Sequence, residues 1–196
     1  MSKRRFLAPA LALLFVAAPA VRAINLPRQS PEFAISLNNG QQVRLSQYKG
    51  KVVVLAFILT SCIHCQAIVG YLSQDQNTFG PRGLQVLASA VDDDAAAKVP
   101  AFIRQFKPPF PVGFTTNPLA AIDYLEHPPM LTPHMPILAF IDRQGIIRAQ
   151  YEGDDVFLAE DRREKNLRAK IEELLNQAVP AAKKSVAKKS APAPKK

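Results

Sequence analysis

The chain has 196 residues, 48% of them hydrophobic, and contains two cysteines and no tryptophan. Its net charge of +9 is unevenly distributed, because all 16 acidic residues lie between Glu32 and Glu173, while four basic residues precede Ile24 and six follow Pro180. Subtracting those ten from 25 leaves 15 basic against 16 acidic residues in the central part. The charge therefore does not indicate a basic catalytic surface, and roughly 150 central residues are enough for one domain.

Residues 1–23 predict a cleavable secretory signal peptide. Basic residues at positions 3–5 are followed by an apolar stretch from 6 to 20 and by small residues before a possible cleavage site after Ala23, the usual layout of an export signal. An uncleaved anchor is the weaker interpretation, because Pro9 and Pro19 interrupt the run and a membrane span usually needs about 18 or more apolar residues. We therefore expect a periplasmic or otherwise exported protein, with residues 24–30 as a linker.

The first part of the folded region predicts a hairpin, two buried strands and a helix. Segments 33–37 and 42–45 flank Asn39-Gly40, and an Asn-Gly pair between short alternating segments favours a β-hairpin. The apolar runs 52–59 and 84–91 have no polar face, as expected of strands covered on both sides. Between them, helical spacing from residue 62 to about 74 predicts a helix, with Gly80-Pro81 marking its end.

Residues 92–177 continue the alternation of strands and helices. The acidic residues Asp92-Asp93-Asp94 precede a helix expected to reach about Gln105, and we interpret them as complementing its dipole rather than binding a metal. An irregular connection with one short strand, a helix over 119–126, a second hairpin over 137–151 and an amphipathic helix over 160–177 follow. This order predicts an α/β sandwich with a mixed sheet.

Residues 179–196 predict a disordered tail. From Pro180 onward the chain contains only Pro, Ala, Lys, Ser and Val, a composition that offers too little apolar surface for a core. Its lysines could make weak electrostatic contacts with anionic envelope components, although a solvated tail is the simpler interpretation. No specific nucleic-acid partner is expected.

The only two cysteines form the motif Cys62-Ile63-His64-Cys65, after a predicted buried strand and at the start of a helix. This spacing fits a redox pair, whereas a structural zinc ion typically takes four ligands and the chain has no second cysteine pair. Disulfides persist outside the cytosol, and a static bridge closing so short a loop would constrain the unfolded chain little. Redox catalysis is therefore favoured, with the disulfide itself as redox group and no other cofactor.

The two cysteines are expected to have different roles. A helix N-terminus stabilises an anion, so Cys62 is the expected attacking thiolate and Cys65 the thiol that resolves the mixed disulfide. Ile63 and His64 are the candidate tuning residues. An imidazolium of His64 near Cys62 would stabilise the thiolate and make the pair more oxidising, but an exposed histidine with little effect remains equally open.

The motifs together resemble a known family. The hairpin, the Lys49-Gly50-Lys51 strand start, the cysteine pair and Met135-Pro136 before Ile-Leu-Ala-Phe-Ile-Asp-Arg-Gln-Gly are similar to thioredoxin-like envelope proteins of the TlpA and ResA branch of the redoxin (AhpC/TSA) group. This resemblance covers about residues 31–177. It implies a domain over residues 31–178 with a thioredoxin-like three-layer sandwich and an N-terminal hairpin extension. It also implies a thiol-disulfide oxidoreductase with protein thiols as substrates and an unidentified redox partner.

In that family the proline before the late strand is cis and lies against the disulfide, so the resemblance assigns this role to Pro136. It would present the backbone of Met135 to an incoming substrate chain. An ordinary trans proline at a strand start is the alternative.

Three positions depart from the family pattern. Ser61 stands where tryptophan usually precedes the first cysteine. Ala56 and Ile68 stand where thioredoxin and ResA-like proteins, respectively, carry a proton-handling acid. Deprotonation of Cys65 would then depend on water or His64. A histidine at position 64 resembles oxidising DsbA-type enzymes, but the chain is too short for their helical domain, and the direction of electron flow stays open.

Two other functions compete. A thiol peroxidase is the enzymatic alternative, but peroxiredoxins resemble a Pro-x-x-x-Thr-x-x-Cys pattern and here Leu59 replaces the threonine. A copper-delivery module is the non-enzymatic alternative, because two thiolates suit Cu(I) and His134 could act as a third ligand beside Cys62 and Cys65.

Overall fold

The structure is a computed structural model that describes residues 25–128 and 130–177. The predicted signal peptide and the lysine-rich tail both lie outside these residues, and both stay predictions. Among the residues described, no helix combines the length and hydropathy needed to cross a bilayer.

Within these residues the chain forms eight strands and four α-helices. In chain order they are β1 (Arg28–Gln29), β2 (Ala34–Ser36), β3 (Gln42–Arg44), β4 (Val52–Ile58), α1 (Ile63–Phe79), β5 (Leu84–Ala90), α2 (Ala95–Phe106), β6 (Val112–Phe114), α3 (Pro118–Leu125), β7 (Ile137–Ile141), β8 (Ile146–Tyr151) and α4 (Arg163–Asn176). The two predicted hairpins, β2–β3 and β7–β8, are confirmed.

All eight strands belong to one mixed sheet in the order β1-β8-β7-β4-β5-β6-β2-β3. Strand β4 lies in the middle and pairs in parallel with β5 and antiparallel with β7. Because β4 is an interior strand, its carboxyl end and the cysteine motif that follows it lie in the middle of the row of strand ends on one side of the sheet.

Strand β4 is buried on both faces, as its uninterrupted apolar sequence predicts. Val54 and Ala56 point into a cluster that contains residues of α1, α2 and α4, whereas Leu55 and Phe57 point into a second cluster that contains residues of α3. The sheet is therefore covered by helices on both sides, and the predicted three-layer α/β sandwich with a mixed sheet and a hairpin extension is confirmed.

Helix α1 ends at Phe79, directly before the Gly80-Pro81 pair that the sequence predicts as its end. One predicted boundary differs from the structure. The stretch predicted as a linker contains β1, which pairs antiparallel with β8. Arg28 in β1 also donates a 2.6 Å hydrogen bond from Nη2 to the carbonyl oxygen of Tyr124, so this stretch is part of the folded domain.

Candidate active site

Cys62 is the N-cap residue of α1. Its backbone is extended, and its Sγ accepts a hydrogen bond from the backbone N–H of Cys65 at 3.4 Å. The first turn of a helix leaves N–H groups unpaired, and the sulfur takes the place that a serine or aspartate oxygen usually occupies. The sulfur therefore lies where the helix dipole and an N–H group both favour negative charge.

Cys65 occupies a different environment one turn further along α1. Its side chain is fully buried and packs in the apolar cluster with Ile68 and Val69. Burial raises the pKa of the Cys65 thiol well above its ordinary value, a hydrogen bond with the backbone of Leu59 opposes this, and the nearby Cys62 and Asp92 add smaller increases. Both cysteines are free thiols in this structure, one partly exposed and one enclosed.

The loop between β4 and α1 is fixed by Asp92, which follows β5. Its carboxylate accepts hydrogen bonds from the backbone N–H of Thr60 at 2.9 Å and from Thr60 Oγ1 at 3.0 Å. The carbonyl oxygen of Thr60 in turn accepts from Nε2 of Gln66 at 3.0 Å. Asp92 is buried, so these contacts hold the strand-to-helix junction two residues before Cys62.

These contacts correct the sequence interpretation of the three aspartates as a complement to the dipole of α2. Asp94 is the N-cap residue of α2, but its side chain makes no capping hydrogen bond and pairs with Lys98 instead. Asp92 serves the cysteine loop. The partner of Asp92 lies 32 positions away in sequence, so local sequence gave no signal for this role.

Met135, which precedes Pro136, lies beside Cys62. The peptide bond between Met135 and Pro136 is cis, as the resemblance implies. The carbonyl oxygen of Met135 lies 4.0 Å from Sγ of Cys62, and the side chain of Met135 contacts both apolar clusters. The structure thus brings together the four predicted residues Cys62, Cys65, Met135 and Pro136.

The two candidate tuning residues are both exposed. The side chain of Ile63 is 71% exposed. Nδ1 of His64 lies 3.7 Å from Oε1 of Glu160, and both side chains are more than half exposed. The imidazole is therefore placed against the segment that leads into α4.

His134, the candidate copper ligand, forms a different group. Its Nδ1 lies 3.4 Å from Oδ2 of Asp154, and both side chains are largely exposed. Among the described residues, the set of histidine, cysteine and acidic side chains close enough to share an ion consists of His134, Glu152 and Asp154, and contains neither cysteine. This geometry offers no support for His134 as a third ligand beside Cys62 and Cys65.

Ala56 and Ile68, the positions that carry acids in related proteins, are buried in the same apolar cluster as Cys65. Neither can donate or accept a proton. Asp92 is the carboxylate whose charge acts on the Cys65 thiol, and it reaches this region from β5 rather than from β4 or α1.

Comparisons with known proteins identify the family and similar oxidoreductases. The model of the AhpC/TSA family matches residues 27–150. Thiol-disulfide oxidoreductase ResA from Bacillus thuringiensis subsp. konkukian is 24% identical over 131 residues, which are 67% of this chain and 72% of that protein. The ResA protein of Bacillus subtilis is 31% identical over 88 residues, which are 45% of this chain and 49% of that protein.

Solved structures show the same fold. A putative thiol:disulfide interchange protein DsbE from Chlorobium tepidum is 25% identical and superposes with a TM-score of 0.65, covering 78% of this chain and 99% of that one. A putative protein disulfide isomerase from Bacteroides thetaiotaomicron is 24% identical with a TM-score of 0.64, covering 79% of this chain and 92% of that one. With its cysteine pair at the start of α1 and a cis proline beside it, the chain belongs to the AhpC/TSA family, in the ResA-like branch of thioredoxin-fold proteins.

Proposed function

We propose that Cys62 and Cys65 are the redox-active pair through which this thiol-disulfide oxidoreductase exchanges disulfides with protein thiols. The observation that carries the proposal is the asymmetry of the pair. Cys62 is partly exposed at a helix N-terminus, while Cys65 is buried with its N–H group directed at the sulfur of Cys62. The disulfide is itself the redox group in this proposal.

In the reducing direction, the thiolate of Cys62 attacks one sulfur of a substrate disulfide. The substrate S–S bond breaks, a mixed disulfide forms, and the first substrate thiolate leaves and takes up a proton. Cys65 then loses its proton and attacks the sulfur of Cys62. The intramolecular disulfide forms, and the second substrate thiolate leaves and is protonated. The reverse sequence oxidises a substrate dithiol, with the same atoms and electrons in balance.

A polypeptide is the substrate class that fits this site. The carbonyl oxygen of Met135 lies beside the attacking sulfur, and a backbone carbonyl at that place can accept a hydrogen bond from an extended substrate chain. Exposed Ile63, adjacent to Cys62, offers apolar surface for the same chain. We propose Met135 and Pro136 as the substrate-positioning residues.

Export is the second part of the proposal. Residues 1–23 have the layout of a signal peptide, and disulfide exchange with folding proteins suits a compartment in which disulfides persist. Fusion of residues 1–40 to an alkaline phosphatase that is active only after export tests this. Activity that is lost when residues 3–5 are made acidic supports export, and an inactive, cytosolic fusion contradicts it.

Trapping of the mixed disulfide tests the exchange reaction. In the Cys65→Ser variant, attack of Cys62 on a peptide disulfide should leave one peptide joined to Cys62 by a mixed disulfide. This bond should persist until dithiothreitol is added, because the resolving thiol is missing. The Cys62→Ser variant is the matched control and should trap nothing. Equal trapping by the two variants would contradict the assigned roles.

The competing functions give different outcomes in the same preparation. Rapid formation of sulfenic acid at Cys62 with hydrogen peroxide, without exchange with peptide disulfides, would favour a peroxidase. Stoichiometric Cu(I) binding that is lost on His134→Ala, again without exchange activity, would favour copper delivery.

A further inference from the structure

Glu152, the residue after β8, links two parts of the chain. Its Oε2 accepts a hydrogen bond from the backbone N–H of His134 at 3.2 Å. Its Oε1 lies 3.2 Å from Nε2 of His127. His134 belongs to the segment of residues 131–136 that ends at the cis proline, here called the proline loop. Both oxygens of one carboxylate are therefore occupied, one by the proline loop and one by an imidazole.

His127 is the buried side of this arrangement. Its side chain is 3% exposed, against 22% for Glu152, and its backbone N–H donates to the carbonyl oxygen of Ile122 in the last turn of α3. A carboxylate oxygen accepts hydrogen bonds and an imidazole N–H donates them, so the facing Oε1 and Nε2 are complementary groups. Nδ1 is buried and has no hydrogen-bond partner among the described residues. The contact of the His127 ring with a charged group is therefore the one with Glu152. The backbone hydrogen bond to α3 fixes the position of the ring.

Gly153 also holds the proline loop, because it binds the carbonyl group of His134, whereas Glu152 binds the N–H group of the same histidine. Its backbone N–H donates a 2.7 Å hydrogen bond to the carbonyl oxygen of His134. A Cβ atom at position 153 would overlap the carbonyl group of Met135, with its carbon only 2.8 Å away. The end of β8 therefore lies in direct contact with the backbone of the residue that faces Cys62.

Asp154, the exposed acid of the set formed by His134, Glu152 and Asp154, contributes less to holding the proline loop. Asp154 pairs with the side chain of His134, but both are largely exposed, and exposed ion pairs contribute little to stability. Glu152 differs, because its carboxylate accepts a hydrogen bond from a backbone N–H, and such charge-assisted hydrogen bonds are among the stronger ones. Since both oxygens of Glu152 already have protein partners, we interpret the group as a structural clamp rather than a cation site.

From these contacts we infer that Glu152 is a positioning residue for substrate: held by buried His127, it fixes the backbone of His134 and so the direction of the Met135 carbonyl beside Cys62. This inference rests on the proposed role of Met135 in substrate pairing. Glu152 touches neither cysteine in the contacts described, so it acts on the orientation of the substrate and not on the reactivity of the sulfur.

Two disulfide probes with the same leaving group separate these effects. One is 5,5′-dithiobis(2-nitrobenzoate), which has no peptide backbone. The other is an extended peptide whose single cysteine carries the same nitrothiobenzoate group. In the Cys65→Ser background, the release of coloured thiolate reports the attack of Cys62 on each probe. The ratio of the two rates measures the advantage that the peptide backbone gives.

For Glu152→Ala we expect the peptide rate to fall about tenfold or more, since misplacement by about 1 Å can cost on the order of 100-fold in rate. The rate with the free reagent should not change. Glu152→Gln keeps an acceptor for the His134 N–H and should restore most of the peptide rate. Asp142→Asn is the matched control, because Asp142 is a buried carboxylate at the opposite end of the same hairpin. It should lower stability without changing the ratio.

The outcomes distinguish the inference from the proposed function. An unchanged ratio in Glu152→Ala, or an equal loss with both probes, overturns the role of Glu152 while leaving the exchange reaction intact. A wild-type chain whose Cys62 attacks the free reagent but not the peptide contradicts the proposed function and with it the clamp. Should Glu152→Ala fail to fold, Glu152→Asp, which is one methylene too short to span both partners, takes its place with the same expected loss.

Discussion

The backbone N–H of Cys65 points at the sulfur of Cys62, 3.4 Å away, while the thiol of Cys65 is enclosed in the apolar cluster behind it. One residue therefore supports the charge of its neighbour through its backbone and keeps its own side chain away from water. The two cysteines are only three positions apart in sequence, but their sulfur atoms differ in access to solvent and in the free-energy cost of ionisation.

This difference predicts selective alkylation. Iodoacetamide at neutral pH should modify Cys62 and leave Cys65 unmodified in the folded dithiol protein, because the reagent needs an accessible thiolate. Mass spectrometry of tryptic peptides measures the site. The same chain in denaturant should be modified at both positions. Equal labelling of the two cysteines in the folded protein would contradict the burial of Cys65.

The raised pKa of Cys65 predicts a loss of stability in mildly alkaline solution. A free thiol titrates near pH 8.5 in the unfolded chain, and burial raises this pKa in the folded one. Between the two values the folded state binds more protons than the unfolded state, so stability is full below about pH 8.5 and falls as pH rises, by at most about 1.4 kcal/mol per pH unit. Urea unfolding of the dithiol form at pH 7.0 to 9.5, under argon with a phosphine reductant, measures the slope.

Cys65→Ala is the control for that slope. It removes the buried thiol and keeps Cys62, so its stability should vary less with pH over the same window. Burial also raises the pKa values of Tyr48, Tyr124 and Tyr151, which restricts the comparison to solutions below pH 10, where tyrosines remain protonated. Equal slopes for the two proteins would exclude Cys65 as the cause.

Asp92 is predicted to stabilise the active-site loop. Asp92→Ala leaves the N–H and hydroxyl groups of Thr60 without their acceptor, and an unsatisfied buried polar group costs about 1–3 kcal/mol. Chemical denaturation should show this loss, with Asp93→Ala as the exposed neighbouring control. Since the charge of Asp92 is one of the causes that raise the pKa of Cys65, release of a mixed disulfide should also reach half its maximum rate at lower pH in Asp92→Asn. An unchanged pH profile would contradict that electrostatic contribution.

The central architecture could be predicted because its signals are local. An uninterrupted apolar run predicts a strand buried on both faces, and every residue of β4 is buried. Asn39-Gly40 marks the first hairpin, and the turn at Gly145, where φ is +80°, marks the second. The cysteine pair directly follows β4, so its place at the carboxyl end of that strand could be predicted from the order of the elements.

The contacts that tune the site could not be predicted, because each joins residues far apart in sequence. Thr60 meets Asp92, His64 meets Glu160, and Glu152 meets His127. The three aspartates before α2 fitted a local rule for helix dipoles, and tertiary hydrogen bonding to Thr60 overrode it for Asp92. A two-residue strand such as β1 has no periodicity to detect, so its pairing with β8 appears only in the folded chain.

The reduction potential of the Cys62–Cys65 couple tests whether His64 tunes the pair. An imidazolium near the N-terminus of α1 adds to the dipole that stabilises the thiolate, and stabilising the dithiol form makes the couple more oxidising. We expect a potential above the roughly −270 mV of thioredoxin, and a lower value in His64→Ala, where about 30 mV corresponds to a tenfold change in the exchange equilibrium. Glu160→Gln, which removes the negative partner 3.7 Å from the ring, should not lower the potential. Equilibration with glutathione buffers measures all three proteins. A potential at or below −270 mV, or no change in His64→Ala, would leave the helix N-terminus and the Cys65 N–H as the groups that stabilise the Cys62 thiolate.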